Sequence, residues 1–207
     1  TLHLVLGNLA GEETVSHDSL CWATKTHWPA DSPLGTKRFK AQKCISVVRN
    51  PIDVIASLCY LKNTLSMSLV TTEKPNEVDP MWWDGFVTKT AEAMSHSTLE
   101  MNRQVVPSIP TYYVRYEDLI LEPLPALCEL FCFLLEVPSI VGTVIEKRIQ
   151  DYCVQGNQSA TVYKLKRADN SNLSRNVDMY TPKQLEMLKM TMREYLYYFK
   201  YTDHPGG

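Results

Sequence analysis

Three short groups of residues in this 207-residue chain have the types and spacing that chemistry requires. The first is Lys25-Thr26-His27, inside the run CWATKTHWPADSP from Cys21 to Pro33. A basic residue, a hydroxyl and an imidazole in succession are poor core material, and Pro29 forbids a continuing central strand. Presented at a strand end, His27 can take a proton from a hydroxyl nucleophile, and Lys25 can supply positive charge to a leaving oxygen. His27 is nonetheless a lone histidine, and spacing alone does not choose between catalysis and a structural place.

The second group is RNPIDVIAS, Arg49 to Ser57. Asn50 suits an N-cap, Pro51 the first helical position and Asp53 the third, so the segment reads as a sharp turn into a helix. Arg49 is then left at a strand's carboxyl end beside a helix N-terminus. Ser57, four residues after Asp53, falls on the same helix face. A guanidinium fork with a nearby hydroxyl suits a phosphate. Asn50, Pro51 and Asp53 are read as capping residues, and Arg49 as either a phosphate ligand or a surface charge.

The third group is RYEDL, Arg115 to Leu119. Tyr116 at a strand's carboxyl end can stack on a ring such as adenine or simply pack, while Glu117 and Asp118 can cap the turn that follows.

These groups need strands that end where they begin. Short apolar runs at Leu20–Ala23, Cys44–Val48 and Tyr112–Val114 predict buried strands. Helical spacing follows at Val54, Ile55, Leu58 and Cys59, across Met81–Arg103, and from Leu124 through Leu135. The final helix is announced by Thr181-Pro182-Lys183-Gln184, a capping box with proline at the first position, and by a stripe of Leu185, Leu188, Met192, Leu196 and Phe199. Leu65–Pro80 and Gly156–Asn176 read as long polar segments. Strands alternating with helices predict one three-layer α/β domain, a mostly parallel sheet flanked by helices, over residues 1–207. In such sheets ligands sit beyond the carboxyl ends of the strands, where all three groups fall.

Composition narrows the partners. Apolar residues make up 44% and charged residues 21%, and a formal charge of −2 removes any global electrostatic case for nucleic acid or an acidic membrane surface. No apolar run is long enough to span a membrane. The six cysteines lie mostly in apolar runs without metal-ligand spacing, and Cys128 and Cys132, one turn apart, read as small core hydrophobes. Free thiols fit a reducing compartment. The triplets Asn157-Gln158-Ser159 and Asn172-Leu173-Ser174 would matter only in a secretory lumen. Trp82 and Trp83 read as core or as the wall of an acceptor pocket.

In order and in kind, TKTHWP, VVRNPIDVIASL, YYVRYEDLILEP and the closing MYTPKQLEMLKMTMREYLYYFKY resemble segments of the sulfotransferases that use 3′-phosphoadenosine 5′-phosphosulfate (PAPS). Each segment is weak alone; the ordered set covers most of the chain. The resemblance implies a P-loop nucleoside triphosphate hydrolase-like sulfotransferase fold and a PAPS donor without a metal. It implies His27 as general base, Lys25 as stabiliser of the transferring group, Arg49 and Ser57 as 3′-phosphate ligands, and Tyr116 as an adenine contact.

The sequence departs from that family in two places. The Gly/Ser/Thr-rich loop that cradles the 5′-phosphosulfate is not found, and TLHLVLGNLAG resembles the helix that would follow it. Thr1 would then sit at the loop's hydroxyl position in a chain cut inside the motif, and a central strand would be missing. The basic segment near the C-terminus that completes the 3′-phosphate site is represented by Lys164, Lys166, Arg167 and Arg175, in open register. The expected acceptor is a small molecule or carbohydrate bearing a hydroxyl or amine, and a homodimer or larger assembly is allowed. The family has cytosolic and Golgi members. The rival readings are a catalytically inactive sulfotransferase-like subunit and, lacking a Walker-type Gly-Lys-Ser/Thr loop, a less favoured phosphotransferase.

Overall fold

The computed structural model describes residues 2–6, 23–27, 42–64, 75–104, 106–156 and 176–201. Its strands are β1 (Leu2–Leu6), β2 (Ala23–His27), β3 (Lys43–Val48) and β4 (Thr111–Arg115). Its helices are α1 (Pro51–Thr64), α2 (Pro75–Val78), α3 (Pro80–Gln104), α4 (Tyr116–Leu121), α5 (Pro123–Leu135), α6 (Val144–Gly156), α7 (Pro182–Thr191) and α8 (Arg193–Tyr198). A 3-10 turn, Val177–Met179, precedes α7. The chain divides into two compact units, Thr1–Val48 with Met101–Ser171 and Arg49–Glu100 with Asn172–Gly207.

The first unit holds the sheet, in the order β2-β1-β3-β4. β3 and β4 are parallel, and β1 is antiparallel to both of its neighbours, so β2, β3 and β4 all point one way. Leu2–Leu6 is thus a strand and not the start of a helix. Its sequence LHLVL is a short, mostly apolar run of strand length. It lies between β2 and β3, a central place in a sheet that was expected to lack a central strand. β2 corrects a second expectation: Lys25 and His27 lie within the strand instead of following it, and the strand ends two residues before Pro29.

β3 is buried at Cys44, Ile45, Ser46 and Val48. Its first residue, Lys43, stops α5. The Nζ group donates to the carbonyls of Phe133 at 3.1 Å and Leu134 at 2.7 Å and pairs with Glu136 at 2.8 Å. A cation on the last carbonyls of a helix answers both their unmet hydrogen bonds and the negative end of the dipole. Glu136 itself turns the chain in the left-handed region at φ 57°. Tyr112 of β4 stacks on Phe133, with ring centroids 5.3 Å apart, and donates its hydroxyl to Glu129 at 3.1 Å. Gly142, at φ 76°, supplies the left-handed residue before α6. The helix then opens with Thr143 Oγ1 accepting from the Glu146 amide and Glu146 reaching back to the Gly142 amide.

The second unit is helical. Trp83 of α3, 1% exposed, donates its indole N–H to the Met179 carbonyl at 3.0 Å and meets Tyr180 at 5.3 Å between centroids. The wall-or-core alternative therefore resolves differently for two neighbours: Trp83 is core, while Trp82 is 42% exposed and stacks on Phe86 at 5.0 Å. The capping box at Thr181 forms as expected, with Thr181 Oγ1 accepting from the Gln184 amide and Gln184 Oε1 from the Thr181 amide. The single final helix predicted is two, α7 and α8, parted at Met192. Pro75–Val78, inside a stretch expected as loop, forms the short α2.

Candidate active site

In the first unit, the register places His27 opposite Leu2, Leu2 opposite Val47, and Val47 beside Val114. The carboxyl ends of β2, β3 and β4 therefore lie level at one edge of the sheet. His27 closes β2 at that edge, and Tyr116, the first residue of α4, stands two residues beyond Val114. Three strand spacings, about 14 Å, separate the β2 and β4 positions. Lys25 lies two residues back from the edge, opposite Leu4. A base candidate and an aromatic candidate that stand 89 residues apart in sequence thus share one sheet edge.

Arg115 adopts extended backbone at φ −77°, ψ 134° and turns the chain from β4 into α4. Its Nε lies 3.8 Å from Asp118 Oδ1. Tyr116 is half-buried, and Glu117 beside it is buried. Behind the edge, burial pushes the Cys44 thiol up to about 11, with a hydrogen bond to Thr111 pulling partly the other way. Burial likewise raises the Cys128 and Cys153 thiols above their ordinary value. Thiols held protonated in this way are poor nucleophiles. Cys44 is buried, whereas Cys128 and Cys132, expected as core residues, are only half-buried.

In the second unit, Arg49 stands one residue beyond the end of β3 and directly before the α1 N-cap. Asn50 caps as its sequence position predicts: its Oδ1 accepts from the Ile52 amide at 3.1 Å, and its carbonyl accepts from the amides of Asp53 and Val54. Asp53 does more than capping chemistry required, because its buried carboxylate also accepts from Asn176 Nδ2 at 3.0 Å. The first-turn amides are thus directed at Asn50, and a carboxylate already answers the helix dipole. An anion at this turn therefore calls for side-chain donors, and Arg49 and Ser57 are the candidates that the sequence offers. Ser57 is half-buried and lies one turn after Asp53 on its face of α1.

The turn is held from the far end of the chain. The Tyr195 hydroxyl donates to the Arg49 carbonyl at 2.9 Å and accepts from the Arg49 amide at 3.3 Å. Tyr180 donates its hydroxyl to the Ile52 carbonyl at 2.7 Å, and burial keeps that phenol protonated far above its ordinary range. The sequence reading missed Asn176, Tyr180 and Tyr195. For Tyr195 a signal existed: Leu188, Met192, Tyr195 and Phe199 follow helical spacing, so Tyr195 belongs on the buried stripe. Thr1, Lys164, Lys166, Arg167 and Arg175 lie outside the described residues, although Arg175 directly precedes the anchored Asn176. Among the described residues no group of three or more His, Cys, Asp or Glu could hold a metal ion, and no helix is long and apolar enough to cross a membrane.

The α/β class expected from the sequence holds for the unit that carries the sheet. The sequence matches the sulfotransferase domain family over residues 10–195, and the chain belongs to that family. The match includes TKTH, RNPIDVIAS and RYEDL, and it supports sulfuryl transfer as the general activity. No curated protein and no solved structure matches the chain.

Proposed function

We propose that the protein transfers a sulfuryl group from PAPS to a hydroxyl or amine of a small-molecule or carbohydrate acceptor. The observation that carries this reading is the family match across residues 10–195, which contains all three candidate groups in order. Arg49 and Ser57 bind the 3′-phosphate, the residue that sets this nucleotide apart from ordinary adenylates. Tyr116 stacks on the adenine at the β4 end of the sheet edge. Thr1, Lys166, Arg167 and Arg175 are assigned to the phosphates on the resemblance alone.

His27 takes the proton from the acceptor hydroxyl as its oxygen attacks sulfur, and Lys25 offsets charge on the oxygen that leaves. The S–O bond to the acceptor forms as the S–O bond to the phosphate breaks, so the nucleotide departs as 3′-phosphoadenosine 5′-phosphate. In such transfers positioning and charge stabilisation supply most of the rate, as they do for phosphoryl groups. Cationic side chains can provide that charge without a metal.

Calorimetric titration of the full natural chain with 3′-phosphoadenosine 5′-phosphate and with AMP tests the donor. Charge-assisted bonds to the 3′-phosphate predict a preference over AMP of about tenfold or more. Equal affinity for the two, or none for either, would remove PAPS from the reading. It would favour the inactive, assembly-forming alternative.

A further inference from the structure

The backbone of Arg49 presents an accounting problem that one distant side chain solves. The β3–β4 ladder ends at the pair Val48 and Arg115, so the Arg49 amide and carbonyl lie beyond it. The α1 helix makes its first bonds to Asn50, so they lie before the helix as well. Backbone groups in such a gap require partners from elsewhere. The phenol of Tyr195, 146 residues away and 3% exposed, bonds to both. Its ring is in turn fixed edge-on against Phe199 at 4.8 Å and stacked with Tyr201 at 6.2 Å. Three residues further along Tyr180 fixes the Ile52 carbonyl, and one beyond that Asn176 fixes Asp53. Three C-terminal side chains thus grip three of five consecutive residues.

We infer that Tyr195 is a positioning residue for anion recognition: by closing both backbone bonds of Arg49 it sets the direction in which the guanidinium leaves the chain. Both bonds are to main-chain atoms, so the role assigned to Tyr195 is exerted through Arg49. A hydroxyl that is at once donor and acceptor is needed, and among apolar-ringed residues only tyrosine provides it. Phenylalanine would keep the ring packing and lose both bonds. The inference rests on the assignment of Arg49 to the 3′-phosphate.

The test is the ratio of affinities for 3′-phosphoadenosine 5′-phosphate and AMP, measured by calorimetry on the full natural chain. Tyr195→Phe, Arg49→Ala and Phe199→Leu are compared with the parent, all at a temperature below the lowest of the four melting points. Tyr195→Phe should lower the ratio about tenfold, chiefly through the 3′-phosphate nucleotide, and leave AMP affinity within about twofold. Phe199→Leu loosens the same aromatic cluster without removing the hydroxyl; it should lower the melting temperature and keep the ratio. A ratio that falls in Arg49→Ala but stays at the parent value in Tyr195→Phe would overturn the positioning role alone. A ratio that follows melting temperature in both Tyr195→Phe and Phe199→Leu would make Tyr195 merely structural. If Arg49→Ala leaves the ratio unchanged, the phosphate assignment itself fails, and the positioning role with it.

Discussion

His27 and Arg49 are held by different means. The place of His27 is set by strand pairing, in which each residue of β2 faces one residue of β1, so its position follows from register. Arg49 lies past the ladder, and its backbone is fixed by a tyrosine from α8. Register is a repetitive constraint, whereas the Tyr195 phenol bonds to Arg49 across 146 residues of sequence. A substitution at His27 should therefore disturb chemistry without moving its surroundings, while substitutions around Arg49 should be felt first in stability and in binding.

The largest effect should come from His27→Ala. Losing a general base should lower the turnover rate by about 10²–10⁴-fold while affinity for 3′-phosphoadenosine 5′-phosphate stays within a few-fold. Single-turnover transfer from PAPS and calorimetry on the same preparation read the two quantities. If affinity falls with rate, the histidine is holding structure together, and the contrast with Arg49 collapses.

Next in size is Trp83→Ala, which removes the largest buried side chain of the described residues and the indole bond to Met179. It should cost about 3–5 kcal/mol in chemical denaturation. The segment that follows Met179 carries Tyr180, so the loss should reach the Ile52 carbonyl and weaken the grip on the turn. A cost below about 1 kcal/mol would mean that Trp83 is not an anchor of this unit.

The contrast also explains what the sequence disclosed. The strand at Lys43–Val48, the cap at Asn50, the proline start of α1 and the capping box at Thr181 were legible because each is settled within a few residues. The start of α6 was equally local: Thr143 and Glu146 have the capping spacing, and Gly142 marks the turn, yet exposed apolar residues such as Val144 and Val154 blur the stripe by which a helix is recognised. By contrast, LHLVL is too short for periodicity to overrule a resemblance to a helix, and only its two pairing partners make it β1. The partners of Arg49, Ile52 and Asp53 lie 146, 128 and 123 residues away, and no pattern within one segment could name them. Candidate chemistry could be proposed from residue type; the contacts that hold the Arg49 turn could not.

Asn176→Ala sharpens the comparison at lower amplitude. It deletes the amide that donates to the buried Asp53 carboxylate, a charge-assisted bond whose loss should cost about 1.5–3 kcal/mol in denaturant unfolding. The same change frees the residue next to Arg175 from its anchor on α1. If Arg175 serves the 3′-phosphate, affinity for 3′-phosphoadenosine 5′-phosphate should fall more than stability alone accounts for. Unchanged affinity would place Arg175 outside that site.

The smallest effect belongs to the sheet. The Cys44 thiol is pushed from its ordinary 9.0 to about 11 by burial, against the weaker pull of its hydrogen bond to Thr111. A raised value means the folded state favours the protonated thiol more than the unfolded chain does. Its contribution is complete below pH 9 and drains away as pH rises through 11. By pH 10, midway through that window, the loss should be about 1 kcal/mol relative to pH 8. Cys44→Ala removes the titration, so the stabilities of parent and variant should draw together between pH 8 and pH 10. Parallel pH profiles would show that the thiol ionises as easily in the folded sheet as in the open chain. The packing behind β3 would then be looser than its burial implies, and the fixed register that places His27 would lose its rigid support.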